Sequence, residues 1–250
     1  MNTAKRIEIL GIPVDMVSMA QAVEILGGLM KSMGCSLIVT PNSEIIVNAG
    51  KDPKLKEIIT SADLVIPDGI GLVYASKILG CPLTERVTGI DFLNWILDWL
   101  EQNGKSIYLL GSKPGIDGNP GIADLAAKRM KETYPGLSVA GTHHGYFSES
   151  EEVGIVEKIN QSGADFLCVA LGAPKQEKFI ARYQKSLNAK AAIGVGGSLD
   201  VWAGTAKRAP EFYQKHGLEW LYRFAREPSR YRRITALPLF MIKVLITRGR

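Results

Sequence analysis

Cysteine and histidine are scarce in this chain, at three residues each among 250. Cys35, Cys81 and Cys168 are odd in number, share no CxxC spacing and stand in apolar or helical contexts. Neither a disulfide framework nor a zinc site is indicated, which suits a reducing cytoplasm. His143 and His144 are adjacent, and neighbours on a strand point to opposite faces. With no carboxylate or Cys cluster at ligand spacing, no metal centre is expected on this pair. A Gly-x-Gly-x-x-Gly after the first strand and a Gly-x-Ser-x-Gly elbow are both missing, which disfavours a dinucleotide oxidoreductase and a serine hydrolase. Met1 to Arg6 runs into a strand pattern without an apolar h-region, so no secretory signal is expected. The apolar run from Ala236 to Ile246 is far shorter than the roughly 20 residues that span a bilayer. It can lie on a membrane surface but not cross it.

What is present is an uneven distribution of charge. Residues 205–250 hold eleven Lys or Arg against three Glu, a net of +8, and since the whole chain carries +5, residues 1–204 sum to −3. The division suggests one globular body over 1–204 and a basic appendage over 205–250. Within the appendage Arg223, Arg226, Arg230 and Arg233 recur at intervals of three, four and three, the spacing of one helix face. Pro228 interrupts the backbone between them, so the stripe belongs to one helix or to two. A row of guanidinium groups without paired acids calls for an anionic partner. The adjoining apolar run favours a lipid surface over nucleic acid, which would announce itself by steep salt dependence.

Along the body, short apolar runs rich in β-branched residues alternate with amphipathic stretches. Ile7–Leu10, Ser36–Thr40, Asp63–Ile66, Ser106–Leu110, Leu137–Ala140, Asp165–Leu171 and Ala191–Val195 read as strands. Ser18 with Gln21 reads as a capping box for a helix to about Met33, Thr88 with Asp91 as another for a helix to about Gln102, and Ser148 with Glu151 as a third. The alternation predicts an α/β fold, a mostly parallel Rossmann-like sheet with helices on both faces. Ligands of such sheets bind at the carboxyl ends of the strands.

Four strand ends carry suggestive residues: Thr40-Pro41-Asn42-Ser43, Pro67-Asp68-Gly69-Ile70-Gly71, Gly111-Ser112-Lys113-Pro114-Gly115 and Gly196-Gly197-Ser198-Leu199-Asp200. Small residues let backbone approach a diphosphate, and a following helix start favours its charge. Asp68, between Pro and Gly, is placed either to enter such a pocket or to cap the next helix. Thr40 and Asn42 suit turn and cap roles equally, and Gly196-Gly197 suits a tight turn. Residues 113–122, which nearly repeat a Pro-Gly-Ile unit, read as an exposed loop.

Read in order, Thr40-Pro41-Asn42, Pro67 to Gly71, Arg86-Val87-Thr88-Gly89-Ile90-Asp91, Gly172-Ala173-Pro174-Lys175-Gln176-Glu177, Gly194 to Asp200, Arg208-Ala209-Pro210 and Gly217 to Arg223 resemble the WecG/TagA/CpsF glycosyltransferase family. The blocks cover nearly the whole chain in consistent order. The resemblance implies an inverting transferase without a metal or other cofactor, moving N-acetylmannosamine from its UDP conjugate to undecaprenyl-diphosphate-linked N-acetylglucosamine, a step of wall teichoic acid linkage-unit synthesis. By the same resemblance Asp68 would be the general base, Thr40 and Asn42 would line the sugar site, and Arg86 and Gln176 would hold substrate polar groups. Gly111 stands in the strand-end turn of the nucleotide pocket, and Tyr146, Gly196, Gly197 and Asp200 would shape its nucleotide end.

Inversion in one displacement needs one base, and a diphosphate leaving group without a metal needs backbone N–H groups and guanidinium groups. Arg223, Arg230 and Arg233 are expected to close over the site when the apolar end docks on the cytoplasmic face of the membrane, to which the protein would attach peripherally. Other readings remain: a mannosaminuronic acid or another UDP-sugar as donor, and a non-catalytic nucleotide-binding membrane adaptor. A nucleic-acid binder and an NAD-dependent enzyme are more distant. Homo-oligomers could form through an apolar body surface that the tail covers.

Overall fold

The computed structural model describes residues 4–226 and 235–248, with the side chains of Arg223 and Arg248 outside the description. The chain opens with an antiparallel hairpin, β1 (Arg6–Ile9) and β2 (Ile12–Asp15), where one strand was expected. Leu10 and Gly11, both at positive φ, make the two-residue turn. Asp15 fastens the hairpin to the body, since its buried carboxylate accepts the Val65 N–H at 2.7 Å and Arg6 Nε at 2.8 Å. The first helix, α1 (Met19–Leu29), has the expected Ser18–Gln21 capping box but stops short of Met33.

Then follow β3 (Ser36–Val39), α2 (Ser43–Ala49), α3 (Pro53–Ser61), β4 (Leu64–Val65), α4 (Ile70–Ile78), α5 (Gly89–Gln102) and β5 (Ser106–Gly111). After the irregular 113–121 segment come α6 (Ile122–Thr133) and β6 (Ser138–His143), a single 3-10 turn (Glu149–Glu151), α7 (Glu152–Gln161), β7 (Phe166–Ala170), α8 (Lys175–Tyr183) and β8 (Ala191–Gly194). The C-terminal part holds α9 (Ser198–Trp202), α10 (Glu211–Lys215), α11 (Glu219–Arg226) and α12 (Ala236–Arg248).

The six strands β3 to β8 form one sheet in the order β4-β3-β8-β7-β5-β6, and every pairing is parallel. Period-two alternation sends neighbouring residues of one strand into different cores. Leu37 and Val39, Tyr108 and Leu110, Leu167 and Val169 join the core under α2, α3, α4, α7 and α8. Ile38, Ile107 and Leu109, Phe166 and Cys168 join the core under α1, α5 and α6. Burial on both faces explains why these strands read as continuous apolar runs.

Helix α12 packs on α2 and α4. Ala236, Phe240 and Val244, one turn apart, are buried, and Phe240 and Val244 join the first core. Truncating a fully buried Phe costs about 3–5 kcal/mol in transfer and cavity terms. Phe240→Ala is expected to lower stability on that scale in urea unfolding, with the loss beginning at α12 in hydrogen exchange.

Candidate active site

All six parallel strands end on one edge, and a cleft of about 1760 Å³ runs along it. Its wall takes residues from after every strand: Thr40 and Asn42 from β3, Asp68 from β4, Ser112 and Lys113 from β5, Tyr146 from β6, Gln176 from β7, and Gly196, Gly197 and Asp200 from β8. Arg86 and Thr88 join from the loop before α5, and Glu219, Trp220, Phe224 and Leu237 from the C-terminal part.

Asp68 and Asn42 occupy equivalent turns but have different duties. Asn42 is the N-cap of α2, its side-chain oxygen accepting the Ile45 N–H at 3.0 Å. Asp68 is not a cap, because Gly69, at φ +92°, stands between it and α4 as the N-cap residue and no side chain caps that helix. The Asp68 N–H donates to the Pro41 carbonyl at 3.1 Å, tying the β4 turn to the β3 turn. A Cβ placed on Gly89 would lie 3.3 Å from Thr40 Oγ1 and 3.6 Å from Asp68 Oδ2. Hydroxyl and carboxylate therefore converge at the first residue of α5, on ground that any larger side chain would crowd.

Gln176 is buried at the start of α8 and spans two neighbours: its oxygen accepts the Gly196 N–H at 3.0 Å, and its amide donates to Glu177 Oε1 at 2.8 Å. It thereby holds the glycine turn that follows β8. Burial raises the Glu177 pKa above the ordinary carboxylate range, although the Gln176 hydrogen bond acts the other way. Asp200, in the first turn of α9, accepts from the Ser112 hydroxyl at 3.3 Å and joins the β8 and β5 ends. Tyr146 is 64% exposed and presents its ring along the cleft wall.

Two expectations need correction. Gly111 does not line the cleft: at φ +136° it packs on β7 so closely that a Cβ would stand 2.4 Å from the Ala170 carbonyl oxygen, and the contact with the cleft passes to Ser112 and Lys113. His143 and His144 do not diverge, because β6 ends at His143, alternation lapses, and the two rings sit 4.5 Å apart. Among the described residues no three His, Cys, Asp or Glu side chains gather to hold a metal ion. Arg86 lines the cleft, yet its guanidinium is engaged within the protein, donating to the Gln214 carbonyl at 3.0 Å and pairing with Glu219. Of the tail arginines, Arg223 lies in α11 by its backbone, whereas Arg230 and Arg233 fall outside the described residues.

The profile of the glycosyl transferase WecG/TagA/CpsF family matches residues 7–250. The chain belongs to this family. An N-acetylglucosaminyldiphosphoundecaprenol N-acetyl-beta-D-mannosaminyltransferase of Bacillus spizizenii is 39% identical over 210 residues, covering 84% of this chain and 79% of the relative. Proteins of the same name from Staphylococcus aureus strains MRSA252 and MW2 are 34% identical over 245 residues, covering 97% of this chain and 93% of each relative.

Within this WecG/TagA/CpsF glycosyltransferase, several cleft residues escape sequence reasoning. Lys113, Lys175 and Lys207 line the cleft as exposed cations, and among the described residues none makes an ion pair. Lys178 and Arg182 line it too but are paired, with Asp52 and with Glu149 and Glu152. Exposed lysines in turns look like any solvated surface, so only the Lys-Pro-Gly setting of Lys113 after a strand offered a signal.

Glu177 yields a prediction with a definite sign. Because burial lifts its folded-state pKa above the unfolded value of about 4.3, folding favours the protonated form. That stabilisation is complete below the unfolded pKa and is lost as pH rises through the folded one. Gln at this position keeps an acceptor for Gln176 and removes the buried charge. Glu177→Gln is expected to melt above the parent at pH 8, with the gap narrowing towards pH 4.

Proposed function

We propose that this enzyme transfers N-acetylmannosamine from its UDP conjugate to N-acetylglucosamine carried on undecaprenyl diphosphate, with inversion and without a bound metal. The observation that carries the reading is the position of the Asp68 carboxylate, at a strand end in the cleft wall and beside the Thr40 hydroxyl. The reading is supported by the relatives from Bacillus spizizenii and Staphylococcus aureus, which are named for transfer of N-acetyl-β-D-mannosamine to N-acetylglucosaminyldiphosphoundecaprenol.

In this mechanism an acceptor hydroxyl gives its proton to Asp68 as its oxygen bonds to the anomeric carbon of the donor. The bond from that carbon to the diphosphate breaks on the opposite face, and UDP departs with the electron pair. Thr40 and Asn42 line the sugar end, and Gln176 holds the Gly196 turn towards the nucleotide. Tyr146 and Asp200 border the nucleotide end. The charge on the departing diphosphate is assigned to Lys113, Lys175 and Lys207 together with the arginines of residues 205–250, in place of a divalent cation.

A lipid-linked acceptor brings the enzyme to a membrane surface. No helix among the described residues is long and apolar enough to cross a bilayer. The face of α12 turned away from the core exposes Leu239, Ile242, Leu245 and Ile246, which suits shallow docking on the cytoplasmic leaflet.

The test is transfer from a panel of UDP-sugars to a short-chain lipid-diphosphate N-acetylglucosamine, with products identified by mass spectrometry. UDP-N-acetylmannosamine is the expected donor, ahead of the uronate. Asp68→Asn should lower kcat by about 10²–10⁴ while UDP still raises the melting temperature as in the parent. Parent-like turnover by that variant would remove Asp68 from the chemistry.

A further inference from the structure

Four charged side chains from separate segments meet at the cleft wall beside α11. Arg86, before α5, pairs with Glu219 Oε2. Arg208, between α9 and α10, forks onto Asp91 of α5, with Nη1 to Oδ1 at 2.6 Å and Nη2 to Oδ2 at 2.7 Å. The remaining Arg208 nitrogen, Nε, faces the remaining Glu219 oxygen, Oε1, at 3.8 Å. Arg86 and Glu219 line the cleft, whereas Asp91 and Arg208 stand behind it.

Glu219 is 8% exposed, so its charge is poorly compensated by water and depends on its two guanidinium neighbours. It is also the first residue of α11, an eight-residue helix, and helices that short do not hold in water without tertiary support. Trp220 and Phe224 of the same helix complete the cleft wall. The Gln214 carbonyl, just before α11, takes a further hydrogen bond from Arg86.

We propose that Glu219 is a positioning residue: clasped between Arg86 and Arg208, it seats α11 against the cleft and fixes Arg86 in the wall, with Asp91 bracing Arg208 from behind. The proposal rests on the transferase reading for its kinetic consequences but not for its structural ones. It couples residues 205–226 to the catalytic turns through side chains more than a hundred positions apart, 133 between Arg86 and Glu219 and 117 between Asp91 and Arg208. Asp91 reaches Glu219 through Arg208, but it also accepts the Thr88 hydroxyl at 2.5 Å at the cleft wall, so a Thr88→Val control separates that contact from the coupling.

The full chain carrying Glu219→Gln, Asp91→Asn or both would be compared with the parent in transfer kinetics, UDP binding, thermal melting and hydrogen exchange of residues 219–226. Glu219→Gln should lower kcat roughly tenfold and Asp91→Asn about threefold, with UDP affinity within about twofold of the parent, and the double variant should be no worse than Glu219→Gln, the sign of shared dependence. Exchange in α11 should rise in every variant, and Glu219→Asp should recover part of kcat. Independent, multiplying losses would overturn the proposal, as would unchanged exchange in α11 or a fall in UDP affinity that tracks a general loss of melting temperature. Should the parent transfer no sugar from any donor, the transferase reading falls, while exchange in α11 still decides whether Glu219 seats that helix.

Discussion

A parallel sheet has a single polarity, and the chemistry of this protein follows from it. With both faces covered by helices, the edge where all six strands end is where irregular backbone collects, and polar side chains gather there without a burial penalty. Strand order then becomes residue order along the cleft. The β4 and β3 ends bring Asp68 and Thr40, the central β8 and β7 ends bring Gly196 and Gln176, and the β5 and β6 ends bring Ser112 and Tyr146. Neighbouring strands lie about 4.8 Å apart, so the edge extends for roughly 20–25 Å. On the proposed function, that length suits a nucleotide-sugar laid along it with a second sugar at the Asp68 end.

What separates a structural polar residue from a chemical one here is local backbone geometry. Asn42 and Asp68 both follow a strand and precede a helix, and composition alone leaves each either a cap or a pocket residue. At Asn42 the side chain reaches the Ile45 N–H. At Asp68 the left-handed conformation of Gly69 takes over the N-cap position, so the carboxylate is not the cap of α4. Capping contributes about 1 kcal/mol, so forgoing it at α4 is affordable only because that helix is held by core packing through Leu72 and Ala75.

The fold was largely legible because buried parallel strands and amphipathic helices alternate with clear period changes, and the caps Ser18 and Thr88 fall where the sequence puts them. The hairpin was not, since Pro13 lies in its second strand and the Leu10-Gly11 turn lacks the Asn-Gly pattern that marks such a turn. At the site, the strand-end positions of Thr40, Asp68 and Gly196 could be read because each follows an apolar run, whereas Gln176 came only from the family resemblance. Gly111 could not be read correctly: a glycine after a strand looks the same whether it admits a ligand or, as here, the backbone of β7. Arg86 entered as a substrate contact only through the family resemblance, and its pairing with Glu219, remote in sequence, leaves no trace in local spacing. Glu177 sits in a Lys-Gln-Glu-Lys stretch that reads as a solvated helix face, and only the packed structure reveals its burial.

The C-terminal part joins two environments. Helix α12 is apolar on most of its circumference, so packing Phe240 and Val244 into the body satisfies one side and leaves Leu239, Ile242, Leu245 and Ile246 in contact with water. Exposing four such side chains costs several kcal/mol at about 25 cal/mol per Å² of apolar surface, and a soluble role for that face recovers none of it. A bilayer surface recovers it without a spanning segment. The same helix places Leu237 in the cleft wall, next to the space that Gly71 leaves open. One element therefore has its first turn in the cleft and its outer face turned to the surroundings, and on the proposed function a membrane bound to that face would also set the height at which a lipid-borne sugar meets the cleft.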